Sequence, residues 1–164
     1  MPEISLFGWF HTIVGVLAVF TGFYALARYK RIRFASLSGR FYLILTFIAA
    51  ASALGIYKHG GFGIAHALAV LTILALLTGL LAEKTQIFGG LSRYMQAASY
   101  SATLLFHMIP AITDGLMRLP VDSPVVTELT DPLLQGFYGA FLVTWLIGLG
   151  WQTLRIRRNA TEWT

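Results

Sequence analysis

Four histidines, His11, His59, His66 and His107, fall in or beside apolar stretches of this 164-residue chain. An ionisable side chain in lipid is costly enough to be a candidate for function, and imidazole is the commonest metal and heme-iron ligand. His11 and His66 each stand about four residues inside the same end of an apolar run, a depth of roughly 6 Å at 1.5 Å per residue. Two imidazoles level with one another on facing helices can bracket an iron, the arrangement of bis-histidine heme b. His107 belongs to a different pattern. Gln96, Tyr100, Thr103, His107, Pro110 and Asp114 recur at steps of three and four, so a helix would carry them on one face. His107 would lie roughly 7 Å deeper than the first pair, as a further ligand or a proton carrier. Asp114 is placed to orient an imidazole through its N–H or simply to reach the surface. Lys58 and Arg118 adjoin the same layer and suit heme propionates or anionic headgroups, whereas His59, in Lys58-His59-Gly60-Gly61, reads as a loop residue.

The elements that must position these groups are membrane-spanning helices. Hydrophobic residues make up 57% of the chain and charged residues 12%, more apolar than an aqueous surface tolerates. Five stretches, 6–27, 41–57, 62–82, 94–117 and 133–154, approach the roughly 20 apolar residues of a span. The first run is longer than a signal-peptide core and is expected to be retained as a helix. With no cysteine in the chain, disulfides, thiolate ligands, iron–sulfur clusters and covalent c-type heme are excluded, and a metal would need nitrogen or oxygen ligands.

A net charge of +5 does not point to nucleic acid, because the basic residues sit in short clusters between apolar runs. Ten of the twelve lie in 28–40, 84–93 and 155–158, all on one side of the predicted spans. The positive-inside rule makes that side the cytoplasm, with the amino terminus outside, the carboxyl terminus inside, and Arg40 and Arg93 as topological anchors. The fold class expected is an all-α membrane protein forming a single domain over 1–164. Helices one to four make an antiparallel bundle, and a fifth helix without histidine or acid lies at its periphery.

Helices one to four also carry a faint internal repeat. Gly8-x-x-His11 and Gly63-x-x-His66 open helices one and three, Thr21-Gly22 and Thr78-Gly79 lie near their ends, and Arg40-Phe41 and Arg93-Tyr94 open the helices that follow. Two parallel-repeated hairpins of one design are implied. Small residues in helix two (Ala49, Ala50, Ala51, Ser52, Ala53, Gly55) and helix five (Gly136, Gly139, Gly148, Gly150) predict faces for close helix packing. The 118–132 loop, with Asp122, Glu128, Asp131, Pro120 and Pro124, is an acidic, irregular connection able to cover the outer end.

His11-Thr12-Ile13-Val14-Gly15, Ser38-Gly39-Arg40-Phe41-Tyr42, Arg93-Tyr94-Met95 and Phe106-His107-Met108-Ile109-Pro110-Ala111 resemble a family of small bacterial inner-membrane proteins of unknown function, over helices one to four. The family pattern often has a histidine shortly before the Gly-Arg of helix two, where this chain reads Ala35-Ser36-Leu37. The resemblance implies a multi-span bundle in the bacterial inner membrane and brings no activity with it. The layout is also similar to membrane b-type cytochromes, an analogy of architecture alone.

Together these features predict a membrane electron-transfer protein holding heme b through His11 and His66, with His107 and Asp114 handling a proton or a quinol hydroxyl. It would act as part of a heme-dependent oxidoreductase. Its partners would be the lipid bilayer, a quinone, a periplasmic redox protein, or further membrane subunits bound through helix five. Two other classes fit the same residues. One is a three-histidine zinc or copper site of His11, His66 and His107; the other is an accessory subunit that only braces a larger complex.

Overall fold

The computed structural model describes residues 5–56 and 61–158. Among them are five α-helices, α1 Leu6–Tyr29, α2 Leu37–Ala53, α3 Ile64–Thr85, α4 Ser92–Arg118 and α5 Pro132–Arg158, with a single 3-10 turn at Gly89–Leu91. The described residues contain no strand. Three helices, α1, α3 and α5, are long and apolar enough to cross a membrane. The apolar α2 has 17 residues, and α4 has 27 but carries many polar side chains.

Local chemistry sets the helix limits. Ser5 Oγ accepts the Gly8 N–H at 3.1 Å and Ser36 Oγ accepts the Gly39 N–H at 3.2 Å, each satisfying a donor that a helix start leaves open. This cap starts α2 at Leu37, ahead of the span expected from position 41. Gly39 is required there, since a Cβ would lie 2.1 Å from the Arg33 carbonyl oxygen. Lys30 and Gln86 close α1 and α3 in left-handed conformations, with φ of 61° and 50°.

The packing partners are α1 with α2, α2 with α3, and α3 with α4, while a lighter contact of α4 with α1 closes a four-helix ring and α5 lies against α4. Consecutive helices run antiparallel, which puts α1 and α3 on a diagonal. One end of the bundle, the basic end, gathers the α1–α2 and α3–α4 connections; the opposite end gathers the starts of α1 and α3. Trp145 Nε1 donates to Ser101 Oγ at 3.0 Å, and the Tyr138 and Thr113 hydroxyls are 2.6 Å apart, tying α5 to α4. Beyond α4, the N–H of Val126 donates to the Leu116 carbonyl at 3.1 Å, folding the following loop back with Val126 buried.

The two Thr-Gly pairs share one packing device. A Cβ on Gly22 would meet the Tyr42 ring at 2.7 Å, and a Cβ on Gly79 would meet the Tyr100 ring at 2.4 Å. Each glycine therefore seats a tyrosine from the next helix in the chain, and both rings are buried in the core with Ala18, Leu76 and Leu104. The glycines of α5 behave differently from the expectation that they form a close-packed face. A Cβ at Gly136, Gly139, Gly148 or Gly150 would meet nothing within 4 Å, because α5 is fastened to α4 through Trp145 and Tyr138.

Gly79→Ala and Gly22→Ala are each expected to lower stability by about 1–3 kcal/mol, the usual cost of overpacking a filled core. Gly148→Ala should be neutral or stabilising by up to about 1 kcal/mol through helix propensity. Thermal unfolding of the three variants in detergent checks the contrast.

Candidate functional site

One face of α2 organises the histidines. Thr46, Ala49 and Ser52 recur every three residues, and all three are buried. His11 Nδ1 lies 3.0 Å from the Ala49 carbonyl oxygen and 3.0 Å from Ser52 Oγ. A carbonyl can only accept, so Nδ1 carries the proton and Nε2 keeps its lone pair. His107 reaches the same face from α4, with Nε2 3.1 Å from Thr46 Oγ1. Toward the basic end, the Tyr42 ring stands 6.4 Å from the His107 ring, and its hydroxyl is hydrogen-bonded to that of Thr103. The histidines that α2 brings together are thus His11 and His107.

His66 is used otherwise. The Gly63 N–H donates to His66 Nδ1 at 3.1 Å, and the ring stacks on Phe62 with centroids 5.2 Å apart. It is 4% exposed. With Nδ1 accepting, the proton of the neutral ring is on Nε2, which therefore presents N–H where a metal needs a lone pair. The diagonal placement of α1 and α3 is the one expected of a His11–His66 pair across the bundle axis, whereas the Gly63 N–H occupies the His66 nitrogen that would have to be free for iron. Among the described residues, no group of three or more histidines or acids is arranged to hold a metal, so the three-histidine site is not assembled. The physical reason is that His11 and His107 are tied to α2 while His66 caps α3.

The polar face of α4 is inward for only part of its length. Gln96, Tyr100 and Thr103 are buried and His107 is half-buried, but Pro110 and Asp114 are exposed. Asp114 Oδ1 lies 3.5 Å from Arg118 Nε, so the carboxylate meets a guanidinium one turn away, in keeping with the alternative that it reaches the surface. α2 stops at Ala53, and the last turns of α4 run past the cover that α2 supplies to His107. Lys58 and His59 lie outside the described residues.

A second polar cluster, at the basic end, centres on Glu83, which sequence reasoning passed over. Both carboxylate oxygens accept the Phe34 N–H at 3.0 Å, and Oε2 also accepts the Tyr100 hydroxyl at 3.0 Å. One acid thereby ties the α1–α2 connection and α4 to α3. Its signal was present in the sequence as the lone acid closing an otherwise apolar run, directly before Lys84. Gln96 Nε2 adds a long 3.5 Å contact to the Ile32 carbonyl beside it.

Two cavities are lined by other residues. One, of about 410 Å³, is polar and lies at the basic end among Arg31, Arg33, Glu83, Lys84 and Arg93. The other, of about 270 Å³, is an apolar groove between α2 and α3. Neither is lined by a histidine. Comparison with known proteins finds no family model, no curated relative and no solved structure that matches this chain.

Tyr100→Phe is expected to cost about 1.5–3 kcal/mol, as befits a hydrogen bond to a charged acceptor. In a double-mutant cycle with Glu83→Gln the two changes should couple by about 1 kcal/mol. Unfolding of the single and double variants in detergent measures both quantities.

Proposed function

We propose that this chain is a multi-pass protein of the bacterial inner membrane with a proton-exchanging site for a quinol-class ligand in its outer half. All five helices cross, with the amino terminus outside and the carboxyl terminus in the cytoplasm. The alternation of basic and non-basic connections supports that orientation. Seventeen residues of α2 reach about 26 Å as a helix, close to the hydrocarbon thickness. The polarity of α4 is no obstacle where its side chains are turned inward.

The observation that carries the reading is the attachment of His11 and His107 to one face of α2. His11 holds its Nδ1 proton against the Ala49 carbonyl and Ser52 hydroxyl, so Nε2 is the ring nitrogen whose lone pair can take a phenolic proton. Protonation there makes a cation that the carbonyl and hydroxyl already solvate. His107, bonded to Thr46, is the second carrier. A quinol gives up two protons here and its two electrons one at a time to two equivalents of a one-electron acceptor, either a periplasmic redox protein or a partner subunit against the exposed apolar side of α5, and leaves as the quinone.

One contact favours a second reading, heme b electron transfer. A metal-bound imidazole typically donates its other N–H to a carbonyl, as His11 does to Ala49. His66 would have to release Gly63 to become the other axial ligand.

Binding of a short-chain benzoquinol to the purified full chain separates these readings. His11→Ala and His107→Ala should each weaken it about tenfold, the equivalent of one hydrogen bond, and His66→Gln should leave it unchanged. A Soret band near one heme per chain that disappears in His11→Ala would replace the quinol site with the heme reading. Unchanged binding and a colourless protein in all three variants would leave a bracing subunit.

A further inference from the structure

Four of the basic residues at the basic end converge, among them Arg93, read above as a topological anchor. Arg31 and Arg33 from the α1–α2 connection, Lys84 from the end of α3 and Arg93 from the start of α4 line one cavity of about 410 Å³. That volume is within the range of small-molecule sites, roughly 300–1,000 Å³. Four cations face one acid, Glu83, whose oxygens are engaged by Phe34 and Tyr100. Arg33 Nε is buried with no hydrogen-bond partner among the described residues. Ser92 and Gln96 add neutral polar groups, and Gly89 and Gly90 keep part of the wall free of side chains. Such a set suits phosphate, which guanidinium groups bind in a fork of paired N–H donors.

The apolar groove adjoins this cavity. Phe34, Leu43, Phe47, Leu76, Leu77 and Tyr100 are among its lining residues. Two of them touch residues that line the cavity. The Tyr100 hydroxyl and the Phe34 N–H both bind Glu83, and Lys84 Nζ stands 5.1 Å from the centre of the Phe34 ring. A cationic pocket therefore opens beside a greasy channel between two helices, at the end of the bundle where basic pockets hold anionic lipid headgroups.

We propose that this paired cavity and groove form a binding site for one anionic phospholipid, its phosphate among Arg31, Arg33, Lys84 and Arg93 and an acyl chain along α2 and α3. The site rests on the membrane reading and is independent of the two-histidine site.

Native mass spectrometry of the full chain released from micelles containing phosphatidylglycerol or phosphatidylcholine tests it. A one-to-one phosphatidylglycerol adduct is expected, at least about tenfold more abundant than the phosphatidylcholine adduct, which corresponds to ~1.4 kcal/mol. Lys84→Gln with Arg93→Gln should reduce it at least fivefold, roughly 1 kcal/mol. Arg155→Gln with Arg157→Gln, the same change of charge outside the cavity, should leave it intact. If the first pair fails to fold, Lys84→Gln alone and Leu77→Trp, which fills the groove, should each still lower the adduct. Equal retention of both lipids, or equal loss in the Arg155 and Arg157 control, overturns the proposal. Displacement of the lipid by millimolar inorganic phosphate that itself binds one-to-one would overturn the lipid assignment in favour of a free-phosphate site. Loss of benzoquinol binding with the adduct intact would bear only on the histidine site.

Discussion

Polar side chains buried inside a helix bundle must find partners on other helices, and here that requirement falls mainly on α4. Its inward side carries Gln96, Tyr100, Thr103 and His107, and three helices supply what they need. α2 offers Thr46 and the Tyr42 hydroxyl, α3 offers Glu83, and α5 offers Trp145 to Ser101 from the other side. Unpaired, each group would cost free energy comparable to the packing of a large apolar side chain. α4 is central for that reason, and α5 can remain peripheral with most of its apolar surface outward.

Close approach makes those bonds possible. Gly22 and Gly79 let the Tyr42 and Tyr100 rings lie against the backbones of α1 and α3, and the ring positions set where each hydroxyl arrives. The two hairpins share this glycine–tyrosine contact but use it differently. Tyr42 meets Thr103 in the interior, whereas Tyr100 meets Glu83 toward the basic end. Between the two polar clusters lies an apolar layer with Ala18, Leu76 and Leu104. The polar groups thus form two local clusters, one on the α2 face that holds His11 and His107, the other around Glu83.

Helix number, the order of the elements and their approximate limits were legible in the chain, because apolar runs, Ser caps and Gly or Pro joints act locally. The start of α2 lies ahead of its apolar run because the Ser36 side chain caps it. The Thr-Gly pairs were visible as a repeat, but their purpose was not, since a glycine shows nothing in sequence of the ring that will rest on it. Glu83 escaped attention because its partners, Phe34 and Tyr100, are far away along the chain and join it only on folding.

The histidines draw the line most clearly. Composition and spacing alone determined that His11, His66 and His107 belong to apolar helices and that the basic residues collect at one end, since both follow from the cost of charge in lipid. Tertiary structure alone decided which histidines meet. Equal depth suggested His11 and His66, yet depth is measured along a helix axis and says nothing about rotation around it or about which helix stands next to which. The small, hydroxyl-bearing face of α2 captured His11 and His107, a backbone N–H captured His66, and each imidazole's tautomer followed from the partner it found.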